Sequence, residues 1–173
     1  MRVIVTGTPG TGKSVVAKML AKEAGLELID IKEIVRRKMR LGPSREVDLR
    51  KLASALRFLK RKKDYVVEGH LACEIRLPAD FVFVLRTRPD ILRRRLALRR
   101  YRRQKLEENL MAEMLDYCTQ RAGKVYGKAP LELDTTRLPP SRCVRKMVRA
   151  MRQKKKKLDR VDYSAYIIKG GSP

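Results

Sequence analysis

The sequence predicts an α/β fold, an open five-stranded parallel sheet with helices on both faces, and three observations predict it. A β-branched apolar run, Val3-Ile4-Val5, leads into Thr6-Gly7-Thr8-Pro9-Gly10-Thr11-Gly12-Lys13-Ser14, which fulfils GxxxxGK(S/T) and is followed by a helical pattern. Short apolar runs then alternate with longer stretches of helical spacing down the chain. Two of those runs, Tyr65-Val66-Val67-Glu68 and Phe81-Val82-Phe83-Val84-Leu85-Arg86, end in polar residues, the form of buried parallel strands whose carboxyl ends face a ligand.

The elements follow in order. From Val15 to Ala24, Val16, Met19 and Leu20 share a helical face, and Gly25 stands where a C-terminal cap belongs. Leu26 to Asp30 reads as a short strand. Ile31 to Leu41 is helical, with Ile34, Val35 and Met39 apolar, and Gly42-Pro43 stops it. Leu49, Leu52, Leu56 and Leu59 predict a further helix to about Lys60, so two helices are inserted before the strand at 65–68. Pro89 opens an arginine-rich helix in which Ile91, Leu92, Leu96 and Leu98 are the apolar part; like charges so close disfavour it unless anions are near. Leu106, Leu110, Met114 and Cys118 predict one helix from Lys105 to Val125. Leu131-Glu132-Leu133 supplies the fifth strand, and Ser141 is read as the N-cap of a last helix with Val144, Met147, Val148 and Met151 inside. A basic run, Lys154 to Lys157, precedes a tail from 158 to 173 whose Gly170–Pro173 end is expected to be disordered.

With 173 residues, 43% of them hydrophobic, the chain holds one domain with a real core. Its 43 Lys and Arg against 19 Asp and Glu give a formal charge of +24, which favours a polyanionic partner, though a solvated surface has the same composition. Cys73, Cys118 and Cys143 are far apart and form neither a CxxC nor a Cys/His cluster, which excludes a zinc ribbon or disulfide framework. No signal-peptide pattern or membrane-length apolar run is present, so the expectation is a soluble, cytoplasmic protein.

Strand, glycine loop and helix are what phosphate binding requires. Glycines at 7, 10 and 12 let backbone N–H groups turn inward, where they and the helix N-terminus hold an anion. Lys13 would reach the β- and γ-phosphates and Ser14 would ligate Mg²⁺. Glu68, at the end of the third strand, is the candidate second carboxylate for Mg²⁺. His70, the only histidine, lies two residues further on, positioned for water or substrate.

The loop, Glu68-Gly69-His70, Phe83-Val84-Leu85-Arg86-Thr87, Arg99-Arg100-Tyr101, Lys105-Leu106 through Asn109 and Glu113, and Asp134-Thr135-Thr136 together resemble, in that order, the atypical adenylate kinases of archaea and eukaryotic nuclei, the group of the coilin-interacting nuclear ATPase. The resemblance spans nearly the whole chain. It implies a P-loop nucleoside monophosphate (NMP) kinase fold with an NMP-binding insertion at 30–50 and a short lid at 98–108, within a domain of residues 1–157. It implies transfer from ATP to AMP, ATPase activity and a role in maturing the small ribosomal subunit, whose protein or rRNA would be the partner of a monomeric enzyme. Gly10, Gly12, Lys13, Ser14 and Val15 match the phosphate-binding positions, Arg99 the lid arginine that contacts ATP, and Arg36 the arginine that grips the monophosphate. Glu68 stands where aspartate is usual, and Arg100 where glycine is usual. A ribosome-assembly ATPase with incidental kinase activity, or a kinase for another small acceptor such as CMP, are the alternatives. Arg145, Arg149, Arg152 and Lys154 to Lys157 have no nucleotide to serve, and form either an RNA-facing surface or a solvated helix end.

Overall fold

Because Val3, Ile4 and Val5 are all fully buried although successive strand residues point to opposite faces, the first strand must be covered on both sides. The computed structural model, which describes residues 1–39 and 46–168, shows how. Strands β1 (Arg2–Thr6), β2 (Glu27–Asp30), β3 (Tyr65–Glu68), β4 (Phe81–Arg86) and β5 (Leu131–Asp134) form one sheet in the order β2-β3-β1-β4-β5, parallel throughout. In this register Asp30 pairs with Glu68, Val5 with Glu68, and Arg86 with Asp134, so the polar strand ends share one edge.

On one face, Ile4, Val67, Val82 and Val84 pack with residues of α2 (Ile31–Lys38), α3 (Leu49–Ala55) and α6 (Tyr117–Tyr126). On the other, Val3, Val5, Val66, Phe83 and Leu85 pack with α1 (Lys13–Ala24) and α7 (Pro140–Arg152). A third cluster, Leu92, Leu96, Leu106, Leu110 and Met114, joins α4 (Pro89–Leu98) to α5 (Arg103–Met114). The five-stranded α/β architecture is the one the sequence predicts.

Several boundaries differ, each for a physical reason. The helix expected from Lys105 to Val125 is two, α5 and α6. Asp116 between them adopts φ 54° and its carboxylate pairs with the Arg86 guanidinium, so a contact thirty residues back in the chain breaks a continuous apolar pattern. The helix after Leu49 ends at Ala55 and tightens into a 3₁₀ turn over Arg57–Lys60. Helix α7 starts at Pro140, with Pro139 and not Ser141 at the cap; a proline at the first helical position has no N–H to satisfy. Helix α2 stops at Lys38 with Met39 extended, and the expected Gly42-Pro43 stop lies outside the described residues. Two of the three arginines of α4 find anions or dipoles: Arg93 forms a two-pronged pair with Glu107, and Arg95 donates to Thr87 Oγ1 and the Thr135 carbonyl.

Residues 158–168 fold back on the domain. Asp159 accepts from Lys146 Nζ at 2.6 and 2.8 Å and from the Asp134 backbone N–H at 3.0 Å. Tyr163 is buried over Arg86, 5.3 Å from ring centre to guanidinium carbon, and α8 (Ser164–Ile168) packs on α5. Gly170–Pro173 lies outside the described residues.

Candidate active site

The loop between β1 and α1 closes on itself before it meets any ligand. Thr11 Oγ1 and the Thr11 N–H both donate to the Thr8 carbonyl, at 2.9 and 3.3 Å. Two glycines make the turn possible. Gly12, the N-cap of α1, sits at φ 90° with no side chain capping the helix, which leaves the first-turn N–H groups for an anion. Gly10 sits at φ 95°, and a Cβ there would lie 2.6 Å from Leu92 Cδ1 and 3.0 Å from Leu96 Cδ2, so α4 packs directly against the loop.

Lys13 is buried, and its Nζ donates to the Thr8 carbonyl at 3.0 Å. Burial lowers its pKa from the ordinary lysine value, with Glu68 and Glu113 acting in the opposite direction. The ammonium is thus held over its own loop, short of solvation, and an arriving phosphate would relieve that.

Ser14 Oγ donates to Glu68 Oε1 at 2.9 Å, joining the start of α1 to the end of β3. Only 5% of Glu68 is exposed; burial raises its pKa, the Ser14 bond opposes that, and the Asp30 carboxylate adds to it. A hydroxyl and a carboxylate oxygen side by side are hard donors of the kind Mg²⁺ takes, and a partly desolvated carboxylate gains from a cation beside it. No cluster of three or more His, Cys, Asp or Glu among the described residues could hold a metal by itself.

The pH dependence follows from the direction of the Glu68 shift. Its folded pKa lies above its unfolded one, so the native state binds the proton more tightly and loses stability as pH rises from the ordinary carboxyl range toward neutrality. Glu68→Gln is expected to melt at a higher temperature than the parent at about pH 7.5, with the gap narrowing toward about pH 4.5. Equal melting temperatures across that range would show that the carboxylate is not strained by burial.

His70 opens a 3₁₀ turn, His70–Cys73, and its carbonyl accepts from Thr6 Oγ1 at 3.2 Å and Cys73 Sγ at 3.0 Å. Its side chain is open to the cleft, yet enough protein surrounds the ring that desolvation, with the Lys13 and Lys105 charges, lowers its pKa from 6.5 to about 4. The imidazole is therefore neutral at physiological pH and able to accept a proton or hydrogen bond. As the single histidine, it should give one set of ring resonances titrating near 4; a midpoint near 6.5 would mean a fully solvated ring.

These groups share a cleft of about 350 Å³ that runs from the loop, with Gly10, Gly12, Lys13, Ser14 and Val15, past Glu68 and His70 to Asp30, Ile31, Lys32 and Val35 on the β2–α2 side. Arg99, at the C-cap of α4 and close enough to act on the Lys13 charge, and Tyr101 also line it. Between them Arg100 adopts φ 55°, a conformation that favours glycine, at the position where the resembled family has one. Arg36 is not brought in. It lies outside the cleft lining, 72% exposed, gripped by Glu33 through Nε–Oε2 at 3.1 Å and Nη2–Oε1 at 2.8 Å.

Sequence reasoning missed Lys32. The Asp30 side chain caps α2 by accepting from the Lys32 and Glu33 N–H groups, at 2.7 and 3.4 Å, and so fixes the first turn from which Lys32 reaches the cleft. The signal was available: a cation directly after the carboxyl end of a strand, where ligands of parallel sheets bind. Arg86, the polar end of β4, is instead buried and serves the fold.

A phosphate loop at one end of a cleft with room beyond it for a second substrate is the arrangement of P-loop kinases, and solved structures agree on the fold. Shikimate kinase from Acinetobacter baumannii superimposes with a TM-score of 0.67 at 20% identity, over 89% of this chain and 94% of that one. A family model described as AAA domain matches residues 3–116. A Methanocaldococcus jannaschii protein named "Putative adenylate kinase" is 34% identical over 173 residues, 95% of this chain and 93% of that protein. One of the same name from Methanothermobacter thermautotrophicus is 40% identical over 144 residues, 80% of this chain and 82% of that protein. The chain belongs to this family of P-loop nucleoside monophosphate kinases.

Proposed function

We propose that the chain transfers the γ-phosphoryl group of ATP to AMP, with Mg²⁺, as a cytoplasmic monomer. The observation that carries this reading is the cleft lined by both the phosphate loop and α2, with Lys13 contributed by the one and Lys32 by the other; in this reading Lys13 would serve the donor and Lys32 the acceptor. The names borne by the archaeal relatives support AMP as the acceptor. Backbone N–H groups at Gly10, Gly12 and Val15, with Lys13, would hold the β- and γ-phosphates, and Ser14 and Glu68 would hold Mg²⁺. The ion would neutralise charge developing on the transferred group. Neutral His70 would orient the acceptor or a water by a hydrogen bond, and Arg99 would close over the ATP phosphates from a lid spanning 98–108. The monophosphate segment would span 30–50, within a catalytic domain of residues 1–157.

One observation favours a second reading. Arg36, the guanidinium expected to grip the monophosphate, is engaged by Glu33 outside the cleft, and an ATPase acting in small-subunit maturation, as in the coilin-interacting nuclear ATPase group, would not need it. Product analysis after mixing ATP and Mg²⁺ with each monophosphate separately, and with none, distinguishes the two. ADP should form fastest with AMP. Lys32→Ala should raise the KM for AMP by about tenfold or more, and more than Arg36→Ala does, with hydrolysis in the absence of monophosphate little changed. ADP formation indifferent to added AMP would establish the ATPase reading in its place.

A further inference from the structure

Helix α7 contains no acidic residue, and its four arginines fall on one stripe. At 100° per residue, Arg142, Arg145, Arg149 and Arg152 lie within a quarter-turn of each other, all exposed, opposite the buried Cys143, Val144, Met147 and Met151. Packing alone does not ask for this. Neighbouring like charges at i,i+3 and i,i+4 destabilise a helix, and Arg142 stands in the first turn, where the helix dipole disfavours a cation. None of the four has a carboxylate partner among the described residues, although Glu23 shares with Arg145, Arg149 and Arg152 a groove between α1 and α7.

Beyond the helix the chain turns at Lys154, which adopts φ 49°. Lys154, Lys155 and Lys156 line a second groove at the amino edge of the sheet, with Lys128, Phe81 and Leu131; Asp80 lies there too, already engaged by Arg2. Neither groove shares a residue with the cleft of the phosphate loop. From Arg142 to Arg152 the helical rise gives about 15 Å, the length of duplex axis over which one strand presents roughly four phosphates.

We propose that this stripe is a docking surface for the phosphate backbone of double-helical nucleic acid. A regular row of guanidinium groups matches a regular row of phosphates, and Arg can bridge two oxygens of each. Helix α7 has no aromatic residue, so the row of guanidinium groups itself offers no platform on which unpaired bases could stack; the half-buried Phe81 lies in the separate lysine groove. Contacts confined to phosphates do not read sequence or the 2′-hydroxyl.

The test measures binding of the full chain to a fluorescent 20-base-pair RNA duplex, a DNA duplex of the same sequence and a single strand, across several salt concentrations. Both duplexes should bind within about threefold of each other, more tightly than the single strand, and log K should fall with log salt by roughly 0.9 per phosphate neutralised. The triple variant Arg145→Gln, Arg149→Gln, Arg152→Gln should lower the slope by about 2–3 and the affinity at least ~10-fold. The triple Lys variant at these positions should keep most of the slope. A control that removes three exposed charges elsewhere, Arg57→Gln, Lys60→Gln, Arg61→Gln, should bind like the parent; thermal melts establish that every variant is folded. Unchanged binding by the first variant, equal loss in the control, a preference for single strands, or equal competition by polyglutamate of the same charge would each overturn the proposal.

Discussion

Lys13→Ala is expected to lower the rate of ADP formation from ATP and AMP at least ~10²-fold while leaving the protein folded and no less stable. The loss follows from removing the buried ammonium beside the loop: the charge developing on the transferred phosphoryl would lose a cation held at short range, which typically costs about 3 kcal/mol or more of transition-state stabilisation. Stability behaves differently, because burial already depresses the pKa of Lys13, so the charged form is a cost to the folded chain until phosphate arrives. Rates and melting curves with and without ATP check both halves. ATP should raise the melting temperature of the parent and fail to raise that of the variant. Near-normal turnover in the variant would remove the loop from the mechanism.

Arg86→Leu should have the largest effect on folding. All five guanidinium N–H groups are used: Nε donates to Glu113 Oε1 at 2.8 Å, Nη1 to Glu132 Oε1 at 2.6 Å and Thr119 Oγ1 at 3.2 Å, and Nη2 to the Glu113 carbonyl at 2.9 Å and to Asp116. Burial opposes the charge, yet Glu113 and Asp116 outweigh it and hold the pKa above the ordinary arginine value. Leucine would fill some of the space and leave three carboxylates facing one another around an apolar group. Removing one partner of a buried charge network typically costs about 3–5 kcal/mol, which for a domain of this size lowers the melting temperature by about 6–20 °C. The deficit should shrink at acid pH, where the carboxylates take up protons. Chemical denaturation at two pH values measures it, and a loss below about 1 kcal/mol would mean that the network contributes little.

Arg86 also shows where reading the sequence stops. As the polar end of an apolar strand it reads as ligand-facing, like Glu68, and the two strand ends look alike in the chain. What separates them is the company each meets: Ser14 and the cleft for Glu68, three acids from α5, the α5–α6 turn and β5 for Arg86. The same network decides that the run from Lys105 to Val125 is two helices. Its apolar spacing continues unbroken through Met114 and Cys118, and nothing local to Asp116 announces a left-handed turn.

The acceptor side was legible only in outline. An arginine on the first inserted helix was the expected grip, but the pairing of Arg36 with Glu33, one helical turn away, turns it outward while the Asp30 cap leaves Lys32 facing the cleft. Which of several cations on a short helix faces a ligand depends on the rotation of that helix against the sheet. That rotation is set by Ile31 and Val35 packing into the core.

Whereas the spatial order β2-β3-β1-β4-β5 came only with the structure, the sequence by itself determined the parallel sheet, the succession of strands and covering helices along the chain, and the phosphate loop with Lys13 and Ser14. Those are local properties: strand and helix periods are written in consecutive residues, and glycines at positive φ beside a lysine must be contiguous in the chain to cradle a phosphate. Only the tertiary structure decided that Glu68 meets Ser14, that Lys32 and not Arg36 reaches the cleft, that Arg86 is structural, and that residues 158–168 return to cover it. Each is a contact between side chains distant in sequence or a matter of helix rotation. Pair distances of that kind are fixed by packing, which no period or spacing along the chain encodes.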